Sequence, residues 1–96
     1  MKPERQRLDK WLWFARFART RTLAGCLVSE GFVRVNGRRI ETPARGIVVG
    51  DVVTVAAAHG TATVRVIDLG ERRGPAPVAR ALYADASEPP PDAAST

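Results

Sequence analysis

The side chains with the clearest chemical purpose in this sequence are its arginines. The 96 residues include fifteen Lys or Arg and ten Asp or Glu, for a net charge of +5, and thirteen of the fifteen cations are arginine. The planar guanidinium group binds phosphate through two parallel hydrogen bonds and stacks on nucleobases. Residues 1–50 hold eleven of the cations and four of the anions, so a polyanionic partner would meet the first half of the chain. Composition alone leaves open that the charge serves only solubility.

Two pairs of arginines are spaced so that each pair could share a phosphate. Arg19 and Arg21 flank Thr20 at the junction of two predicted helices, where the second helix would also present unpaired backbone N–H groups. Arg34 and Arg39 would face each other across a predicted β-hairpin, and a bound phosphate would relieve their repulsion. In either place, water and salt could screen the charges instead.

The residue types present do not support catalysis or metal binding. The sequence offers no Ser/His/Asp set, no carboxylate pair with a pocket to tune it and no phosphate loop of the nucleotide-binding kind. A single cysteine, Cys26, and a single histidine, His59, are too few for a zinc site. We therefore expect no enzyme activity, small-molecule substrate, cofactor or metal, with Cys26 buried and His59 solvated in a turn. Asp9, the lone acid in a basic stretch, is expected to complement a helix dipole or to orient Arg7 or a neighbouring cation.

An apolar stripe predicts the first helix, from Leu8 to Ala18. Thr20 or Thr22 can cap a second helix, which Gly31 is placed to end in a left-handed conformation. Beyond it, Asn36-Gly37 is the strongest two-residue signal for a β-hairpin. The register set by this turn pairs Val35 with Arg38, Arg34 with Arg39 and Val33 with Ile40.

The rest of the chain predicts further strands and a tail. Strands are expected at Val52–Val55 and Thr61–Ile67, with a shorter piece at Ile47–Val49 and a weak short helix at Val78–Tyr83. The expected fold class is α+β, with two short helices packed on a small antiparallel sheet. We expect one domain over residues 7–83, between a flexible N-terminus at 1–6 and a disordered, acidic and proline-rich tail at 84–96.

Membrane insertion and export are not expected from this sequence. The longest unbroken apolar stretch, Trp11–Ala15, is far short of the roughly 20 residues that a membrane-spanning helix needs. The first residues are charged and contain no continuous apolar signal core. A cytoplasmic protein is therefore the prediction.

Two other kinds of binding are compatible with these residues. Trp13, Phe14 and Phe17 lie away from the apolar stripe and could stack on bases, pack beneath the C-terminal segment at Val78 and Leu82, or form an exposed patch for a partner protein. Two short helices and a turn also occur in helix-turn-helix DNA-binding proteins. The second helix, however, offers mostly small or apolar residues, which argues against reading of base edges.

The order of motifs resembles a known family. Arg7-Leu8-Asp9 opens the first helix and Thr20-Arg21-Thr22-Leu23-Ala24 opens the second, and Gly31-x-Val33-x-Val35-Asn36-Gly37 follows. This arrangement is similar to the S-four (S4) RNA-binding domain. Within that superfamily, residues 7–13, 71–77 and 81–83 resemble the heat shock protein 15 family, and the match runs from about Arg7 to Tyr83.

The resemblance implies an αL motif, two helices packed on a small antiparallel sheet, that binds structured RNA without catalysing a reaction. The RNA-facing positions that it implies are Arg7, Lys10, Arg16, Arg19, Thr20, Arg21 and Thr22, followed by Arg34, Asn36, Gly37 and Arg38. The implied partner is ribosomal RNA of the large subunit carrying peptidyl-tRNA after stalled translation, and we expect a monomer. Family members usually continue into a basic extension, whereas residues 84–92 here are acidic and proline-rich and would repel RNA.

Overall fold

The computed structural model describes residues 5–57 and 60–86. The elements, in chain order, are β1 (Gln6–Arg7), α1 (Leu8–Phe14), α2 (Arg21–Ser29), β2 (Val33–Val35), β3 (Arg38–Ile40), β4 (Gly46–Ile47), β5 (Val52–Ala57), β6 (Gly60–Val66), α3 (Ala76–Arg80) and β7 (Tyr83–Asp85). The predicted α+β class is confirmed. In the described ranges, no helix is long and apolar enough to cross a membrane.

The main sheet is antiparallel and has the strand order β3-β2-β5-β6-β7, while β1 and β4 pair separately. The hairpin register is the predicted one, with Val33 opposite Ile40 and Arg34 opposite Arg39. Asn36 and Gly37 have φ angles of 54° and 82°. Two successive left-handed residues are what a type I′ hairpin turn requires, so the turn chemistry sets the pairing.

The core lies between the two main helices and one face of the sheet. Leu8, Trp11 and Leu12 of α1 are fully buried, as are Ala24 and Val28 of α2. Alternate residues of the strands complete the core, because successive side chains of a strand point to opposite faces of its sheet. The Trp11 indole satisfies its polar atom inside this core, since Nε1 donates to the Asp68 carbonyl at 2.9 Å.

The first helix ends four residues earlier than predicted. Arg16 has a φ angle of 65°, and its backbone N–H donates to the Trp13 carbonyl at 3.1 Å. The Phe17 N–H donates to the Leu12 carbonyl at 2.9 Å. These two bonds form the left-handed helix ending that usually places glycine at the position held here by Arg16. Ala15 and Ala18 are buried as the periodicity predicts, although neither lies in the helix.

The C-terminal part also differs from the prediction. The short helix is Ala76–Arg80 rather than Val78–Tyr83, and Tyr83–Asp85 forms the edge strand β7. The Ala86 N–H donates to the Thr63 carbonyl at 3.0 Å, so pairing with β6 holds residues 84–86 that were predicted to be disordered. At the other end, Gln6 pairs with Ile47 and belongs to the folded part.

The predictions for Cys26 and His59 have different outcomes. The thiol of Cys26 was expected to be buried, but Cys26 is exposed on α2. The expectation of burial was wrong because the stripe that α2 buries is centred on Ala24 and Val28 and leaves Cys26 on the opposite side. His59, predicted to be solvated in a turn, lies outside the described residues, as do most of the expected flexible N-terminus and the tail from residue 87 onward.

Candidate nucleic-acid interface

A nearly buried carboxylate connects the starts of α1 and α2. Arg7 donates to Asp9 through Nε at 3.1 Å and through Nη2 at 3.0 Å, a two-bond pairing of guanidinium and carboxylate. The backbone N–H of Lys10 donates to the same carboxylate at 2.7 Å, and Arg21 Nε lies 4.0 Å from it. Asp9 is only 6% exposed. It therefore orients Arg7, as predicted, and attracts Arg21 of the second helix across 4.0 Å.

The charge of Arg7 is secure at every physiological pH. The side-chain hydrogen bond to Asp9, followed by the attraction of the Asp9 charge, raises the pKa of Arg7 further above its usual value. A raised pKa keeps the cation present until the pH exceeds that high value, so titration of Arg7 cannot switch binding on or off. About half of the Arg7 side chain is exposed, and Nη1 is not used by Asp9. The free edge of the guanidinium group can therefore bind a second anion.

The start of α2 presents a cluster of phosphate-binding groups. The Thr20 hydroxyl oxygen accepts a hydrogen bond from the Leu23 N–H at 3.0 Å, which makes Thr20 the cap of the helix. Arg19, Thr20, Arg21 and Thr22 are all exposed. The cap satisfies one of the backbone N–H groups that the first turn of a helix leaves without an internal partner. The others lie beside the two arginines, at the positive end of the helix dipole.

The aromatic residues of α1 and of the turn after it do not form a continuous exposed patch. Phe14 is 2% exposed and lies under Lys10, whose Nζ is 5.6 Å from the ring centroid. Trp13 is covered by Arg73, whose guanidinium carbon is 5.7 Å from the ring and whose Nε donates to the Trp13 carbonyl at 3.2 Å. Phe17 packs against Tyr83, with 5.0 Å between ring centroids. The hypothesis of an exposed aromatic adaptor surface is therefore wrong, because the C-terminal segment packs on these rings.

Arg16 lies apart from the arginines at the helix starts. Its Nε donates to the Gly74 carbonyl at 2.9 Å, and its side chain borders a cavity with Arg80. The seven residues of α1, which span about 10 Å along the helix axis, lie between Arg7 and the turn that contains Ala15 and Arg16. Among the positions predicted from the sequence, Arg16 thus belongs to the opposite end of α1.

The predicted hairpin positions are all exposed, but the side chain of one of them is bonded within the protein. Arg34, Gly37 and Arg38 are exposed. Asn36 is also exposed, but its amide is used by intramolecular bonds, because Oδ1 accepts the Val52 N–H at 2.9 Å and Nδ2 donates to Asp51 at 3.1 Å. Asn36 therefore holds the turn against β5 rather than presenting a free amide to a ligand.

Two arginines that the sequence analysis did not propose as binding residues, Arg5 and Arg45, lie beside the start of α1. A cavity of about 370 Å³ is lined by Arg5, Arg45, Gly46, Val48 and Asp51. The Leu8 N–H donates to the Arg45 carbonyl at 2.9 Å, so the loop before β4 meets the first residue of α1. Charge counting includes both arginines, but only the pairing of β1 with β4 brings them together. No group of three metal-ligating side chains occurs in the described part of the chain.

Comparison with known proteins agrees with this geometry. Residues 6–53 match the S4 domain family. A heat shock protein 15 homolog of Aeromonas salmonicida is 42% identical over 77 residues, which cover 80% of this chain and 58% of that protein. The small ribosomal subunit protein uS4 of Xanthobacter autotrophicus is 40% identical over 72 residues, covering 73% of this chain and 35% of that protein.

A solved structure shows the same fold. The trimeric structure of Vibrio cholerae heat shock protein 15 is 38% identical, with a TM-score of 0.81, and the match covers 88% of this chain and 84% of that chain. The chain spans about three fifths of the length of the Aeromonas salmonicida relative. Residues 6–53, which match the S4 domain, include α1, α2, the hairpin of β2 and β3 and the arginines at the starts of α1 and α2. The chain thus belongs to the heat shock protein 15 family of S4-domain proteins.

Proposed function

We propose that this chain binds structured RNA through the α1–α2 surface. The surface consists of Arg7, Lys10, Arg19, Thr20, Arg21 and Thr22. The observation that carries the proposal is the Asp9 carboxylate, which holds Arg7 and lies 4.0 Å from Arg21. Fixing Arg7 before the ligand arrives, with Arg21 beside it, reduces the side-chain entropy lost on binding, so the surface is prepared for two neighbouring phosphates.

The character of α2 favours a folded RNA over duplex DNA. A helix that reads the major groove needs side chains that form hydrogen bonds with base edges. After Thr22, the exposed or half-exposed positions of α2 are instead Leu23, Gly25, Cys26, Leu27 and Ser29. The Ser29 hydroxyl donates to the Cys26 carbonyl at 3.3 Å, within the helix itself. Such a surface contributes shape and phosphate contacts, which is how proteins recognise structured RNA.

The partner that we propose is ribosomal RNA of the large subunit. Support comes from membership of the heat shock protein 15 family and from similarity to a protein named as a ribosomal component. We further propose that the chain acts on large subunits that retain peptidyl-tRNA after translation has stalled, in the cytoplasm, as a binding protein without turnover. A monomer is proposed for the RNA-free chain. Analytical ultracentrifugation distinguishes it from a trimer like that of the Vibrio cholerae relative.

Binding to matched ligands tests the proposed class of partner. A structured ribosomal RNA fragment and duplex DNA of equal length are titrated at one salt concentration. We expect the RNA to bind at least tenfold more tightly. Arg21→Gln should weaken RNA binding about tenfold, the effect of losing roughly one charge-assisted contact. Arg72→Gln, which removes an exposed arginine from the C-terminal segment, is the matched control and should change affinity about twofold or less.

The results that contradict the proposal are equally specific. Preference for duplex DNA would favour the helix-turn-helix alternative. Equal losses for Arg21→Gln and Arg72→Gln would show that general charge, not the α1–α2 surface, binds the RNA. Crosslinking in cell lysate followed by sequencing tests the ribosomal assignment, for which we expect reads clustered on one helix of the large-subunit RNA. Reads spread over messenger and transfer RNA would contradict it.

A further inference from the structure

A small cavity lies beyond the C-terminal end of α1, between α3 and β7. Its volume is about 200 Å³, and its lining includes Arg16, Phe17, Ala79, Arg80 and Tyr83. Sites for drug-sized ligands usually enclose about 300–1,000 Å³, so this cavity suits a smaller group such as one planar heterocycle of one or two rings. Neither the α1–α2 surface nor the hairpin includes it.

Two arginines that line this cavity, Arg16 and Arg80, would be stabilised by a bound anion. Arg16 and Arg80 are both exposed, and within residues 5–57 and 60–86 no carboxylate lies at ion-pair distance from either. Like charges that share a small concave space repel each other unless an anion lies between them. The Arg16 side chain is also held in place, because its Nε donates to the Gly74 carbonyl at 2.9 Å and its Nη groups are not used by that bond.

The backbone of Arg16 adds an independent observation. Its φ angle of 65° is in the left-handed region, at a helix-ending position where glycine is the common residue. A side chain in this region costs about 1–2 kcal/mol of folding free energy. Residues that keep such a conformation occur often at binding sites. The position therefore retains a guanidinium group where the backbone alone would favour glycine.

The aromatic wall of the cavity supplies a surface for a flat ligand. The rings of Phe17 and Tyr83 lie 5.0 Å apart between centroids and are tilted by 43°. Each residue is half-buried, so each retains exposed surface. A nucleobase stacks on such rings whatever its identity, because every base has a π face.

We propose that this cavity captures one unpaired nucleotide of the bound RNA, with its base against the ring pair of Phe17 and Tyr83 and its phosphate between Arg16 and Arg80. The inference rests on the proposed RNA-binding function and adds a second contact to it. The length of α1, about 10 Å, separates the cavity from the α1–α2 surface. That distance corresponds to about three stacked nucleotides, so one RNA strand can reach both places.

Two RNA hairpins with the same stem test the proposal, one fully paired and one with a single bulged nucleotide. The wild-type chain should bind the bulged hairpin about tenfold more tightly, within the range that one base stack contributes. Arg80→Gln and Tyr83→Leu should each bring the ratio of the two affinities to about one. Arg72→Gln, an exposed arginine outside this cavity, should keep the tenfold ratio. If Tyr83→Leu does not fold, Arg80→Gln decides the test, because Arg80 is exposed.

The possible failures are distinguishable from one another. Equal binding of the two hairpins by the wild-type chain would overturn the cavity assignment while the RNA-binding function stands. Absence of binding to either hairpin would overturn both. A tenfold ratio that survives in Arg80→Gln, or that is also lost in Arg72→Gln, would show that the cavity is not what recognises the bulge.

Discussion

Replacing Arg16 separates the backbone requirement at the end of α1 from the role of its guanidinium group. Arg16→Ala and Arg16→Gly both remove the hydrogen bond from Nε to the Gly74 carbonyl, worth about 0.5–1.5 kcal/mol net. They differ at the backbone, where the φ angle is 65°. A side chain costs about 1–2 kcal/mol in this conformation and glycine avoids that cost. Glycine also lowers the free energy of unfolding by about 0.4–1 kcal/mol relative to alanine, because it raises the entropy of the unfolded chain.

The balance predicts that Arg16→Gly is more stable than Arg16→Ala by about 0.5–1 kcal/mol. In the interior of a helix, a glycine variant is less stable than an alanine variant. A more stable glycine variant at position 16 therefore indicates the left-handed helix ending. Urea unfolding followed by tryptophan fluorescence measures it, because Trp11 is fully buried in the native core. With an m-value of about 1–2 kcal/mol/M, the two midpoints should differ by about 0.5 M.

The RNA affinities of the two variants should not follow their stabilities. Both lack the guanidinium group beside Arg80, so both should lose the same fraction of affinity for RNA. An Arg16→Ala variant that is as stable as Arg16→Gly would refute the left-handed helix ending. A glycine variant that binds RNA as tightly as wild type, while the alanine variant does not, would show that Arg16 acts through the backbone alone.

Substitutions at three further positions test other local arrangements. Asp9→Asn should lower the unfolding midpoint and weaken RNA binding about threefold although a negative charge is removed, because Arg7 loses its orientation; tighter binding in a fluorescence anisotropy titration would contradict this. Thr20→Ala should cost about 1 kcal/mol in urea unfolding and Thr20→Ser should recover most of it, since the hydroxyl oxygen caps α2; equal losses would exclude the cap. Asn36→Ala should cost about 1–2 kcal/mol and more than Asn36→Gly, because alanine loses the bond to the Val52 N–H and also meets the left-handed φ angle; a thermal melt that orders them the other way would contradict the turn.

Local signals in the sequence predicted the parts of the fold that local chemistry determines. Thr20 caps α2 because its hydroxyl is placed to meet a free N–H three residues later, and Gly31 ends that helix with a φ angle of 85°. Asn36-Gly37 fixes the hairpin register because both residues tolerate positive φ angles. Each of these outcomes depends on groups within a few residues of one another.

The features that were mispredicted or missed depend on contacts distant in sequence. Apolar periodicity predicts a helix to Ala18, but the chain turns at Arg16, whose side chain bonds to Gly74, 58 residues away. Arg5 and Arg45 line one cavity because two strands of two residues each pair beside α1. Spacing along the chain carries no signal for such pairings, and short strands have too few residues to show a period.

The most direct measurement of the central claim is the salt dependence of RNA binding by the wild-type chain and by an Arg7→Gln/Arg21→Gln double variant. If four to six phosphates are neutralised, the logarithm of the affinity should fall with the logarithm of salt concentration at a slope of about −3 to −5. Removing both arginines should make that slope shallower by about 2, roughly one unit for each lost phosphate contact. A flat response in the wild-type chain, or the same slope in the double variant, would show that these arginines do not bind the RNA backbone.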